Sequence, residues 1–134
     1  RLLVNRMEKA TDKTAEALNI RPEDDVIKIS RLRYVDDAPM AIETSFFSRE
    51  YAFLLNEDLE DSLFAVLAEK AHKHISGSHK EIEICRATAE EASLLNVKRS
   101  DPMLLIRSIA YDEAGKPVYT CSQVINGERF RFVF

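Results

Sequence analysis

Three patterns predict an α+β domain made of two helix–strand–strand units. Runs of β-branched and apolar residues stop at acidic turns and resume, as hairpins do. Short helix-forming segments, each behind a threonine, stand ahead of those runs. The arrangement also occurs twice: "ALNIRPEDDVIKISRLRYVDDAP" (Ala17–Pro39) parallels "LLNVKRSDPMLLIRSIAYDEAGKP" (Leu94–Pro117). Each copy passes from a helix through Leu-Asn and an Ile or Val to an aspartate four residues on, then a strand ending in tyrosine, an acidic turn and a proline. One extra residue in the second turn is the only gap. Duplicated units of this kind commonly pack about a pseudo-twofold axis and leave a cleft where they meet.

Taken in order, the first helix spans about Thr11 to Leu18, with Thr11 or Asp12 as N-cap before "KTAEAL". "VIKISRLRYV" (Val26–Val35) is a strand, "DDAP" a turn and "MAIETSFF" the returning strand. A short helix over about Arg49–Leu55 comes next. "SLFAVLAEKAHK" spaces Leu63, Val66, Leu67 and Lys70 helically behind Asp61 or Ser62 as cap. "KEIEICRA" alternates Ile82, Ile84 and Arg86 against Glu81, Glu83 and Cys85, a strand with one apolar edge. A helix at about Ala89–Leu95, capped by Thr88, leads into the hairpin "MLLIRSIAYD", "EAGK", "PVYTCSQVI". Asn126–Gly127 reads as a two-residue turn, and "ERFRFVF" sets Phe130, Phe132 and Phe134 on one face.

At 134 residues the chain is expected to be a single domain, 1–134, with a core of its own. Three glycines and four prolines leave little room for linkers. The net charge of −4 argues against a direct grip on DNA, which needs a basic patch. Cys85 and Cys121 are too few for a disulfide framework and read as reduced thiols of a cytoplasmic protein. No apolar run approaches the ~18–20 residues of a membrane-spanning helix. His72, His74 and His79 lack the companions of a metal site, and no phosphate-loop or dinucleotide fingerprint occurs, so no cofactor is expected. The chain opens on Arg1 rather than methionine, which leads us to expect a piece of a longer protein.

One stretch stands out. In "ISRLRYVDDAPMAIE" (29–43), strand parity puts Arg31 and Arg33 on the face begun by Ile27 and Ile29. The repeat has Ser108 and Ala110 at those places, so the scaffold does not require arginine. Unpaired guanidinium groups at the rim of a buried face are costly, and an anion should meet them. That anion is either a bound ligand or a carboxylate of the chain, Glu43 on the neighbouring strand being the candidate.

The segments "RLRYVDDAPMAIE", "DSLFAVL", "LLIRSIAYDEAGKPV" and "NGERFRF", in this order and spacing, resemble the UTRA domain. This is the effector-binding domain of HutC-subfamily, GntR-type bacterial transcription regulators. The resemblance implies a chorismate-lyase-like fold, an antiparallel sheet flanked by helices with a small-molecule pocket, and a homodimer. It also implies a winged helix-turn-helix domain ahead of this segment, through which alone operator DNA would be bound. The family's paired basic motif matches Arg31 and Arg33, and its acidic residue matches Glu43. Its phosphate-contacting Ser-Leu-Tyr matches Ser62, Leu63 and Phe64, where Phe64 lacks the hydroxyl. Ser62 is either an anion contact at a helix N-terminus or a plain N-cap. Tyr119 stands where relatives often carry glutamate, and Cys121 where serine is common; both departures weigh against an amino-sugar ligand and leave the anion site. The family's basic position near the end matches Arg129 and Arg131, whose parity opposite Phe130 and Phe132 favours a solvated or interface face.

The expectation is thus a non-catalytic sensor of a small anionic metabolite, such as a phosphorylated sugar or an organic acid, in a transcriptional repressor. The alternative is a lyase on the same fold, with the arginines gripping substrate carboxylates and Glu43 in acid–base work. The aromatic strand at the end of the chain argues independently for a homodimer, since an uncovered edge of that kind invites association.

Overall fold

The computed structural model describes residues 1–60 and 63–128, the side chain of Phe64 excepted. Asp61, Ser62, the Phe64 side chain, Arg129, Arg131 and the Phe130, Phe132, Phe134 strand therefore lie outside the described residues.

Among the described residues, six antiparallel strands form one open sheet in the order β1-β2-β3-β6-β5-β4, with β1 Leu2–Lys9, β2 Asp25–Val35, β3 Ala38–Ser48, β4 Gly77–Arg86, β5 Pro102–Tyr111 and β6 Pro117–Ile125. The helices are α1 (Asp12–Leu18), α2 (Leu63–Lys70) and α3 (Ala89–Leu95), with a kinked stretch of 3₁₀ turns over Arg49–Asn56. The expected α+β class with an antiparallel sheet flanked by helices is what the chain adopts. The two expected helix–strand–strand units, α1-β2-β3 and α3-β5-β6, are present, and each is extended by a strand ahead of its helix. Each half is strand–helix–strand–strand, because β1 precedes α1 as β4 precedes α3. The short run "LLVNRMEK" contains four polar or charged residues and half-exposed apolar ones, so its pattern is weak and only pairing with β2 declares it.

The strand order reads alike from both ends, which places a pseudo-twofold axis between β3 and β6. Their register locates it: Glu43 opposes Gln123 and Ser45 opposes Cys121, so exchanging the halves swaps these pairs and leaves Thr44–Ser122 on the axis. Each hairpin carries an irregularity at the same place, between Arg33 and Tyr34 and between Ala110 and Tyr111.

The helix ends repeat as well. Thr11 and Thr88 cap α1 and α3 by accepting from the backbone N–H of Thr14 and Glu91. Asn19 and Asn96 end them in the left-handed region, at φ 58° and 57°, a conformation Asn tolerates better than most residues. Asp24 and Asp101 then fold back, each accepting from a backbone N–H three residues earlier, Arg21 at 3.1 Å and Lys98 at 3.0 Å. The aspartates visible in the repeat are thus turn residues. The turn read from Asn126–Gly127 lies at Gly127–Glu128, without positive φ at Asn126 or Gly127, and the Asn126 N–H still bonds Met40 O at 3.0 Å.

Period-two alternation gives the sheet two buried faces. On one, Ile27, Ile29, Phe47 and Tyr119 meet Tyr51 and Leu54 of the 3₁₀ stretch and Leu63 and Leu67 of α2. On the other, α1 covers Val26 through Ala15 and Leu18, while α3 sets Ala92 and Leu95 on Leu32, Ile42, Met103 and Val124. Among the described residues β4 is an edge strand, and its Ile82 and Ile84 are 48% and 64% exposed.

Candidate functional site

On the α2 side of the sheet, the buried row Ile27, Ile29 runs on into Arg31 and Arg33, as parity requires. The strand register then sets their neighbours. Arg31 lies opposite Glu43 and Glu43 opposite Gln123; one row along, Ile29, Ser45, Cys121, Ser108 and Lys80 follow across five strands. Leu63 of α2 and Ile75, on the segment that leaves it, wall this floor and leave a cavity of about 330 Å³. Small side chains make the space: Ser45, Ser108 and Ala110 occupy the centre of the floor.

Both alternatives drawn for the arginine pair bear on what is seen. Glu43 does meet the arginines. Its Oε1 accepts from Arg31 Nη2 at 2.5 Å, and its Oε2 accepts from Arg33 Nη1 at 3.4 Å and from Gln123 Nε2 at 3.1 Å. Arg31 is deep, its side chain 7% exposed, and Glu43 is 12% exposed; Arg33 is 54% exposed at the mouth. Among the described residues, one carboxylate (Glu43) and three cations line the cavity, Lys80 from β4 being the third. The described lining residues carry more positive than negative charge after Glu43 is counted.

The structure brings together Arg31, Arg33, Glu43, Tyr119 and Cys121 among the residues singled out from the sequence. Leu63 lines the cavity too, while Ser62 and the Phe64 side chain lie outside the described residues. Lys80, Gln123, Ser45, Ser78 and Ser108 were not among those candidates. Parity alone assigns Gln123 to the face of Tyr119 and Cys121. Lys80 had no such signal, since its place depends on the β4–β5 register.

Two neutral groups complete the polar lining. Burial, reinforced by Glu43, pushes the Cys121 thiol up to about 11, against the opposing Ser45 hydrogen bond and the Arg31 and Lys80 charges. A thiol so held is protonated near neutrality and is no nucleophile. Burial also pushes the Tyr119 phenol up to about 12, and its ring packs against Phe47 with centroids 5.0 Å apart. The three histidines of the sequence are exposed.

This fold and its two-half cavity define a class: residues 1–131 match the UTRA domain, and the chain belongs to that family. It is 32% identical to the HTH-type transcriptional repressor NagR of Bacillus subtilis over 134 residues, covering 99% of this chain and 55% of NagR. It is 29% identical over 106 residues to the probable fructoselysine utilization operon transcriptional repressor of Escherichia coli, covering 78% of this chain and 44% of that one. A GntR-family transcriptional regulator from Enterococcus faecalis superposes with a TM-score of 0.88 at 26% identity, covering 100% of this chain and 97% of that chain. The chain thus spans about half the length of the curated relatives it matches. Its relatives are transcription regulators.

Proposed function

We infer that this chain is the effector-sensing part of a GntR-type transcription regulator, and that its effector is a small polyanion held between Arg31, Arg33 and Lys80. The observation that supports the reading is the charge of the described lining of a cavity sized for a small metabolite: three cations and one carboxylate among the described residues. Gln123, Ser45 and Ser108 supply neutral donors and acceptors beside them, the complement of a hydroxylated or carbonyl-bearing body. One relative is named for fructoselysine utilization, and a phosphorylated sugar derivative or an organic acid fits the same chemistry here. The effector would alter DNA affinity by binding one conformation of the sheet and α2 better than another, a coupling typically worth ~1–3 kcal/mol. DNA contact belongs to a winged helix-turn-helix domain outside this segment, in line with the net charge of −4. The protein works as a homodimer in the cytoplasm, and the uncovered Ile82 and Ile84 on edge strand β4 are the described surface that supports association.

A lyase reading is less well supported, because Glu43 is already engaged by three side-chain donors and Cys121 stays protonated. Calorimetric titration with phosphorylated sugars and di- and tricarboxylates tests the sensor reading. Arg33→Ala is the informative variant, since Arg33 is exposed and its ion pair long. Its loss should weaken binding roughly 10–100-fold, the value of one charge-assisted hydrogen bond. Stability should fall by less than about 1 kcal/mol. Binding to Arg33→Ala and Lys80→Ala as tight as to the parent chain would refute this site.

A further inference from the structure

The opposite face of the sheet holds a second, larger cavity, about 460 Å³, between α1 and strands β3, β6, β5 and β4. Its floor is Phe46, Ile109 and Thr120, with Ala17 of α1 as roof. The internal duplication shows what is unusual about it. In the other half, Ala17 is replaced by Leu94, Thr120 by Ile42 and Ile109 by Leu32. There Leu32 and Ile42 are buried in one cluster and Leu94 packs against it, so the equivalent space is filled. The fold therefore does not demand this cavity; truncation at Ala17 and Thr120 opens it.

The rim differs in charge as well. Lys13 and Arg107 stand where the other half has Glu90 and Ser30. Arg107 is committed to Glu83 at 2.5 Å, and His79 lies 3.4 Å from Glu81. Lys13 has no ion pair among the described residues. An apolar floor beneath one unengaged cation suits a flat apolar body bearing a single negative charge, and Glu81 at the rim disfavours a second one. We propose that this cavity is a second ligand site, taking a small aromatic monocarboxylate whose ring lies on Phe46 and Ile109 and whose carboxylate meets Lys13. It stands back to back with the Arg31 cavity, since Ser108 and Cys121 line both.

Benzoate, with benzamide as its uncharged control, is titrated into the chain while amide and methyl NMR signals are followed. Saturable shifts at Ala17, Ile109 and Thr120 are expected, with benzamide about two- to fivefold weaker, as for loss of one exposed ion pair. Lys13→Gln should bring benzoate down to the benzamide value. Ala17→Leu/Thr120→Ile, which copies the filled half, should abolish saturation with an unchanged or raised melting temperature. Shifts confined to Leu63 and Ile75 of the Arg31 cavity, no shifts at all, or equal affinities for benzoate and benzamide would overturn the proposal. Should the double variant not fold, the Lys13→Gln and benzamide comparisons still decide.

Discussion

Thr11 and Thr88 cap equivalent helices, Asn19 and Asn96 end them, and Asp24 and Asp101 fold the chain back in the same way. Arg31, by contrast, stands where the second half has Ser108, Glu43 where it has Cys121, and Leu94 where the first half has Ala17. The residues that agree answer to backbone geometry: caps, left-handed helix ends and turns that either half needs in order to fold. In each of these three differing pairs, at least one member lines one of the two cavities. At these three places divergence between the halves coincides with a cavity, and agreement coincides with the caps and turns.

The sharpest way to break that comparison is at its most unequal pair. Arg31→Ala removes one side of a nearly buried ion pair and leaves Glu43 with the distant Arg33 and with Gln123. The expected cost is about 3 kcal/mol, the low end for breaking a buried pair. Ser108→Ala, the same place in the other half, should stay within about 0.5 kcal/mol. Urea unfolding of both measures the gap. Replacing both partners, Arg31→Met with Glu43→Leu, should recover most of the loss, because no charge is then left buried alone. A single variant no worse than Ser108→Ala would mean that the pair contributes nothing to folding.

The caps test the side of the comparison where the halves agree. Thr88→Ala should cost about 1 kcal/mol by thermal or urea unfolding. Thr11→Ala should cost somewhat less, because Thr88 belongs to a complete capping box, in which its N–H donates to Glu91 Oε1 at 2.9 Å, whereas Thr14 fills the corresponding position of α1. Thr14→Glu should then complete the box and stabilise the first half by a few tenths of a kcal/mol, roughly the value of a small local interaction. Equal costs at both caps, with no gain from Thr14→Glu, would show that the box adds nothing here.

The hairpins, the capped helices and the face shared by Arg31 and Arg33 were legible because each rests on local chemistry: period-two alternation, threonine before helix formers, acidic turns. Internal duplication carried the pseudo-twofold arrangement as well. β1 was not legible, since its apolar residues are few and half-exposed and only β2 organises them. Nor was Lys80, which reaches the cavity through pairing between strands rather than through any pattern in its own. Glu43 was named as a partner of the arginines or an acid–base group; that it bridges both arginines and Gln123 depends on β6 lying beside β3, which no local signal specifies.

Acid titration supplies the smallest effect and sharpens the difference between the two hairpins. The first turns on Asp36 and Asp37, both in the left-handed region at φ 50° and 63°. The second wraps its loop around Asp112, whose counterpart in the first half is the exposed Val35. Asp112 Oδ1 accepts from the backbone N–H of Lys116 at 3.0 Å and of Ala114 at 2.9 Å, while Oδ2 faces Lys73 Nζ at 3.4 Å. The Lys116 N–H above all, with Ala114 and Lys73 in support and burial opposing, holds this carboxyl below the usual carboxylate range. Because Asp112 gives up its proton more readily folded than unfolded, its ionisation favours folding. That contribution is complete above the ordinary carboxylate value of about 4 and is lost as the pH falls through the lower folded value. Asp112→Asn should therefore be less stable than the parent chain at neutral pH, and the difference should narrow as the pH falls from about 4 towards 2. Asp25, which Lys9 also holds low, titrates alike in both proteins and cancels from the comparison. Urea midpoints recorded across that range read the result, and a gap that stays constant with pH would show that the loop needs the shape of Asp112 rather than its charge.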